Sequence, residues 1–219
     1  MHFLFQWIMK ITGWLAQLII LRIKVFYEDK NVQSNRIKGN AIIVANHNTL
    51  MDFGIMMFVF WRRTLRCVAA EVLYEKNFFM SLFLFLTGTV KADRNAYDFS
   101  FMDRCSDILS KGGVVEIFPE GRLPQEGEQT PLPFKPSAVY LALDTGAPII
   151  PVYCTGASYL SHNTNVVIGK PIDARELYDE NLSTKENIAI INDYLRGKII
   201  ELQQQFNSEK HKEKQGSVL

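Results

Sequence analysis

Residues Ala41-Ile42-Ile43-Val44-Ala45 are apolar without a break, and they deliver the chain straight onto Asn46-His47. A strand with no polar alternation is buried on both faces. It demands helices on either side and points to a parallel sheet inside an α/β fold. The loop after such a strand is where α/β proteins place their chemistry. His47 stands at the start of that loop and Asp52 follows five residues later. On a continuous helix, residues five apart lie about 140° round the axis and do not touch. The pair therefore meets only if the backbone turns between them, with Asp52 in the first turns of a helix. A histidine whose tautomer is fixed by a carboxylate can act as a general base. The same residues also fit a surface histidine followed by an acid favoured at a helix N-terminus.

The rest of the chain keeps the alternation. Strands are predicted at 22–28, 41–46, 65–70, 89–93, 114–118, 149–154 and 165–168. Helices are predicted at 50–61, 77–86, 97–111 and 136–144, with a last one opened by the capping box Ser183-x-x-Glu186 and running to about 205. The fold class is α/β, with a mainly parallel central sheet flanked by helices. A length of 219 residues suits one compact domain plus an appendage, and a net charge of +1 excludes a polycation seeking nucleic acid. Cys67, Cys105 and Cys154 lie in apolar stretches and read as buried thiols of a reducing compartment. No histidine–cysteine cluster has metal-ligand spacing, so no metal is expected. The polar tail 207–219 is expected to be disordered.

Residues 3–25 are almost entirely apolar, yet Gln6, Lys10, Gly13, Gln17 and Lys24 recur at helical spacing. They fall in a stripe about 60° wide, with Phe3, Leu4, Trp7, Ile8, Ile11, Trp14, Leu15, Leu18 and Ile19 covering much of the remainder. Residues 1–24 therefore read as an amphipathic helix anchored in a membrane interface. A full span and a core helix with one wet edge are the alternatives. The run Phe78 to Leu86 is apolar all round and reads first as core.

Three more loops follow strands of the sheet. The first carries Lys91 and ends in Asp93-Arg94-Asn95, the second in Pro119-Glu120-Gly121-Arg122, and the third follows Pro151 and reaches Gly156. In a parallel sheet the strand C-termini share an edge, so Arg94, Arg122 and Lys91 would converge on His47 and hold an anion such as phosphate. Taken singly, Arg94 and Arg122 could equally neutralise Asp93 and Glu120.

Asn46-His47-x4-Asp52 resembles the first motif of the glycerophospholipid acyltransferases, the 1-acyl-glycerol-3-phosphate acyltransferase (PlsC-like) family. Gly88-x-Val90-x3-Arg94 is similar to the second motif, Phe118-Pro119-Glu120-Gly121-Arg122 to the start of the third, and Ile149-Ile150-Pro151-Val152 with Gly156 to the fourth. The four stand in order between about residues 20 and 170. The resemblance implies an acyltransferase domain over 25–206. Its activity would move an acyl group from acyl-CoA or acyl carrier protein to a lysophospholipid hydroxyl, giving phosphatidic acid from 1-acyl-glycerol-3-phosphate. His47 would be the base and Asp52 its orienting acid, the division of labour of a hydrolase triad. Arg94, Glu120, Gly121, Arg122, Lys91 and Lys135 would bind the acceptor, and backbone near Pro151, Gly121 or Gly156 would serve the acyl donor or the oxyanion. The acyl donor is a substrate, and no cofactor is implied. Arg62, Arg63 and Arg66 would meet anionic lipid headgroups. The implied location is the cytoplasmic face of a membrane, a bacterial inner membrane by expectation.

One departure stands out. The commoner third motif has Glu-Gly-Thr-Arg, and here the arginine directly follows the glycine. A shift of one residue moves a side chain to the other side of an extended loop. Arg122 would then grip phosphate differently or leave it to Lys135 or Arg94. Glu-Gly-Arg also resembles relatives that reacylate lysophosphatidylethanolamine, and a non-catalytic, lipid-binding relative is a further alternative.

Overall fold

A computed structural model describes residues 1–29, 35–92, 100–157 and 163–216. The strands are β1 (Lys24–Tyr27), β2 (Ala41–Ala45), β3 (Leu65–Ala70), β4 (Val90–Ala92), β5 (Val114–Ile117), β6 (Ile149–Cys154) and β7 (Asn165–Ile168). They form one sheet in the order β1-β7-β6-β2-β5-β3-β4. All neighbours are parallel except β6 and β7. The uninterrupted apolar run of β2 is thus central, with every residue buried, and pairs Ile43 with Ile150 on one side and with Glu116 on the other. The C-terminal ends of β2, β3, β4, β5 and β6 share one edge.

The helices are α1 (His2–Ala16), α2 (Asp52–Val59), α3 (Glu71–Glu75), α4 (Phe78–Thr87), α5 (Ser100–Ser110), α6 (Ser137–Thr145) and α7 (Thr184–Gly216). Ile42 and Val44 point to one face of the sheet, where Leu109 of α5, Ala138 and Leu141 of α6 and Ile191 and Leu195 of α7 close the core. Ile43 and Ala45 point to the other, where Phe53, Ile55 and Met56 of α2 cover them. This α/β sandwich with a mostly parallel sheet is the architecture read from the apolar runs.

Several expectations give way. The N-terminal helix does not reach residue 24. It ends at Ala16, passes through a π-turn over Gln17–Leu21, and breaks at Arg22 with φ 44°. Lys24, assigned to the anchor, belongs to the sheet opposite Asn165. The tail assigned from 207 is not irregular: α7 continues to Gly216, through residues rich in lysine, glutamate and glutamine that favour helix, with 207–210 exposed. Residues 217–219 lie outside the described residues.

The polar stripe of α1 faces the protein. Gln6 is fully buried, and its amide nitrogen donates to the carbonyls of Leu65 and Thr87, each at 2.7 Å, while its oxygen accepts from the Leu65 N–H at 3.1 Å. Lys10 Nζ donates to the carbonyls of Arg63 at 2.7 Å and Trp61 at 3.2 Å. Thr87 ends α4, where a helix leaves its carbonyls unmatched, while Trp61 and Arg63 lie in the turn after α2 and Leu65 opens β3. At Gly13 an added Cβ would stand 2.8 Å from the Phe58 ring, so α1 comes close to α2 there. The apolar stripe is left outside, with Phe3, Ile11 and Leu15 more than 60% exposed.

The run over α4 is likewise not core. Phe78 and Phe79 are 73% and 80% exposed, although Phe83 and Leu84 turn inward. Among the described residues no helix is long and apolar enough to cross a membrane.

Candidate active site

His47 and Asp52 meet because the chain turns at residues 48–51 before α2 begins at Asp52. His47 Nδ1 stands 3.1 Å from Asp52 Oδ2. The same oxygen accepts the backbone N–H groups of Asn48 at 2.7 Å and Thr49 at 2.8 Å, and Oδ1 accepts the Thr49 hydroxyl at 2.7 Å. Asp52 is fully buried, so its charge is held by these four donors. A hydrogen on Nδ1 satisfies the carboxylate and leaves Nε2 as the basic nitrogen. The ring lies against Phe118, with centroids 4.4 Å apart and planes at 23°. Phe118 and Asp52 thus hold the ring plane, and the carboxylate favours the Nδ1–H tautomer.

The loop around His47 is fixed from two other strands. Asn46 is buried and exchanges two hydrogen bonds with the Cys154 backbone, at 2.9 and 2.7 Å, and Asn48 also donates to the Cys154 carbonyl at 2.8 Å. Glu120 reaches across from the end of β5: one oxygen accepts the His47 N–H and the other the Leu132 N–H, both at 2.8 Å. Burial raises the Glu120 pKa, and these two N–H bonds oppose the rise. Asn46 and Phe118 stood in the motifs without a role of their own, and Asn48 and Thr49 were not singled out from sequence. Thr49-x-x-Asp52 has capping-box spacing and so was readable, whereas the bonds to Cys154 cross more than a hundred residues and leave no local signal.

His47 lines a cavity of about 1300 Å³ that runs between β3, α2 and α4. Its walls are apolar: Phe53 and Met57 from α2, Val68 from β3, Met80, Phe83 and Leu84 from α4. Lys135 is the one lysine on that wall, which has no arginine, aspartate or glutamate among the described residues. It lies over Gly121, where φ is 68° and an added Cβ would stand 3.0 Å from Lys135 Cε. Glycine there serves both the left-handed backbone and the approach of the lysine.

The remaining expected site residues divide. Gly121 and Lys135 lie on the His47 cavity. Arg122 does not: its guanidinium makes a two-pronged pair with Glu128 at 2.6 and 2.7 Å, and that bond, with the Gln125 N–H, holds the Glu128 carboxyl down to about 2. The one-residue shift of the third motif thus turns the arginine outward. Lys91 is also off the cavity and pairs with Glu71 of α3. Glu120 spends its carboxylate on backbone, as a clamp between loops.

Pro151 is buried within β6 opposite Val44, well short of the loop. Gly156, with φ 79°, packs against Asn48, and its N–H goes to the Cys154 sulfur at 3.3 Å. Neither offers a donor to an oxyanion. Arg94 lies outside the described residues, as do Asp93 and Asn95. Arg63 donates to the carbonyls of Ile37 and Gly112 and Arg66 to that of Gly88, which leaves Arg62, stacked on Trp61, as the outward member of that trio.

Residues 23–155 match a protein-family model described as Acyltransferase. The chain is 27% identical over 149 residues to a 1-acyl-sn-glycerol-3-phosphate acyltransferase of Cocos nucifera, covering 67% of this chain and 47% of that protein. It is 26% identical over 147 residues to 1-acyl-sn-glycerol-3-phosphate acyltransferase beta of Homo sapiens, covering 66% and 51%. The chain therefore spans about half the length of these relatives. Its fold is similar to the crystal structure of PlsC, the 1-acyl-sn-glycerophosphate acyltransferase of Thermotoga maritima. The TM-score is 0.61 at 22% identity, covering 90% of this chain and 78% of that one.

Proposed function

The chain belongs to the acyltransferase family, and on that premise we propose that it transfers an acyl group from a thioester donor to the hydroxyl of a lysophospholipid. The observation that carries this reading is His47, locked by buried Asp52 at the mouth of a large apolar cavity. The acceptor hydroxyl attacks the thioester carbonyl carbon as its proton passes to His47 Nε2. The tetrahedral intermediate collapses, the carbon–sulfur bond breaks, and the departing thiolate takes the proton from Nε2. Asp52 stabilises the imidazolium between those steps. The nucleophile is the substrate's own, so no enzymic serine is required. The cavity between α2 and α4 suits an acyl chain, and acyl-CoA or acyl carrier protein would be the donor.

Lys135 is the residue best placed to meet the acceptor phosphate, and 1-acyl-glycerol-3-phosphate is the first acceptor to try, as the names of the relatives suggest. A second reading has a specific support. With Arg122 engaged by Glu128, a single lysine faces the site among the described residues, and one positive charge better matches a phosphodiester headgroup, as in lysophosphatidylethanolamine, than a dianionic phosphate.

The outward apolar faces of α1 and α4 would rest in the interface of the bilayer that supplies the lysolipid, at its cytoplasmic face. The test is an assay of the protein in detergent with labelled acyl-CoA or acyl carrier protein and a panel of lysophospholipids. Acylation of at least one acceptor that is lost in His47→Ala supports the reading. No acylation of any of them ends it.

A further inference from the structure

A second cavity, of about 440 Å³, lies between α1, β1 and the C-terminal end of α2. All three tryptophans of the chain, Trp7, Trp14 and Trp61, line it. Phe58, Val59 and Ile23 complete its apolar wall. The polar lining is one-sided: Lys10, Gln17 and Asn35 contribute, and among the described residues no aspartate or glutamate does.

Lys10 is buried, and both of its partners are neutral carbonyls. An ammonium has three donors and no acceptor, so one N–H remains after those two bonds. Trp7 Nε1, another group that can only donate, is buried without a partner among the described residues. Burying a cation away from any anion is unfavourable, and desolvation accordingly lowers the Lys10 pKa to about 8. Arg62 adds positive charge near the rim, 4.8 Å from the Trp61 ring centre. Ile11 and Trp14 belong both to this wall and to the exposed apolar face of α1, so the cavity is continuous with the surface that would meet lipid.

We propose that this cavity binds an anionic single-chain lipid, a hydrocarbon chain ending in a carboxylate or phosphate. Lys10 and the Trp7 indole supply the donors to the head, and Trp14, Phe58 and Trp61 form the bed for the chain. The volume suits one chain with its head and falls at the small end of ligand sites. His47 does not line this cavity, although Phe58 belongs to the walls of both.

Tryptophan fluorescence reads the cavity directly, since the chain has no tryptophan elsewhere. The full chain, in vesicles of neutral phosphatidylcholine, is titrated with a bromine-labelled fatty acid, the alkyl phosphate of the same chain, and the uncharged alcohol. Adsorption to the bilayer alone quenches alike with all three. A filled site gives saturable quenching by one or both anions at an apparent affinity at least about tenfold above the alcohol's. Whichever anion saturates identifies the head. Lys10→Gln, which keeps donors for the carbonyls and drops the charge, is expected to erase the preference. Equal quenching by the three probes, or an undiminished preference in Lys10→Gln, overturns the proposal. If circular dichroism finds Lys10→Gln unfolded, Trp7→Phe replaces it, with roughly threefold weaker binding of the anion and no change for the alcohol expected; an unchanged anion affinity overturns the proposal. Vesicle co-sedimentation of the same samples separates a failure to reach the membrane from a failure of the site.

Discussion

The backbone N–H of His47 donates to Glu120 Oε1 at 2.8 Å, so the residue that carries the proposed base is tied to the loop after β5 through its main chain. The other Glu120 oxygen accepts the Leu132 N–H, also at 2.8 Å. Two N–H groups converge on one buried carboxylate, and an amide can serve only one of them. Glu120→Gln turns an NH₂ toward an N–H at one end or the other. Leaving a buried donor unmatched costs about 1–3 kcal/mol. The expected result is a lower melting temperature together with at least a roughly tenfold fall in kcat/KM, because the His47 loop loosens. Parental melting and turnover in Glu120→Gln would refute the clamp.

Asp52 separates charge from geometry. In Asp52→Asn, the remaining oxygen can take the Oδ2 position and keep the bonds from His47, Asn48 and Thr49. The amide nitrogen then faces the Thr49 hydroxyl, which can accept. The loop is therefore expected to hold, while the imidazolium loses its counter-charge. Acyl transfer should fall by roughly 10²–10⁴ with a near-parental circular dichroism spectrum. A variant that is active within a few-fold of the parent would show that Asp52 only builds the turn.

The sheet was legible because continuous apolar runs bounded by turns leave little choice. Strands 65–70, 149–154 and 165–168 fall where the runs do. The inward side of α1 was not legible. Periodicity locates a polar stripe on residues 6, 10 and 13 but does not tell whether water or protein meets it, and its partners are backbone groups of residues 61, 63, 65 and 87. The end of α1 was hidden as well, since apolar residues continue through the π-turn to Ile23. Around His47 the motif spacing located two side chains that do meet, the proposed base and its acid. It did not reveal the pairing of Arg122, whose partner Glu128 sits six residues away in a loop without periodicity.

The pairing of Arg122 sets up a comparison between two cations. Lys135 lines the cavity with His47, and Arg122 is held outside it by Glu128. Lys135→Ala is expected to raise the acceptor KM about tenfold, about 1.4 kcal/mol, with a smaller effect on kcat. Arg122→Ala removes an exposed ion pair and should change KM less than about threefold. Steady-state kinetics with the acceptor varied decides the matter, and the reverse ranking would return the phosphate to Arg122.

Glu116 provides a test by pH. It sits on β5 opposite Ile43 and Cys67, fully buried, and neither carboxyl oxygen has a partner among the described residues. Burial drives its pKa well above the ordinary carboxylate range, and the charge of Asp52 pushes the same way. Below the unfolded-chain value, near 4.3, folded and unfolded chains both hold the proton and the site carries no pH-dependent penalty. Above it the unfolded chain releases the proton and the folded chain keeps it, so native stability falls as pH rises until the folded carboxyl also ionises. Glu116→Gln keeps the shape and removes the titration. Its melting temperature should match the parent's at about pH 4 and exceed it by a widening margin toward about pH 8. Thermal melts across that range measure the margin directly. A margin that stays flat, or that narrows with rising pH, would mean that the buried carboxyl is ionised in the native protein and has found a positive partner.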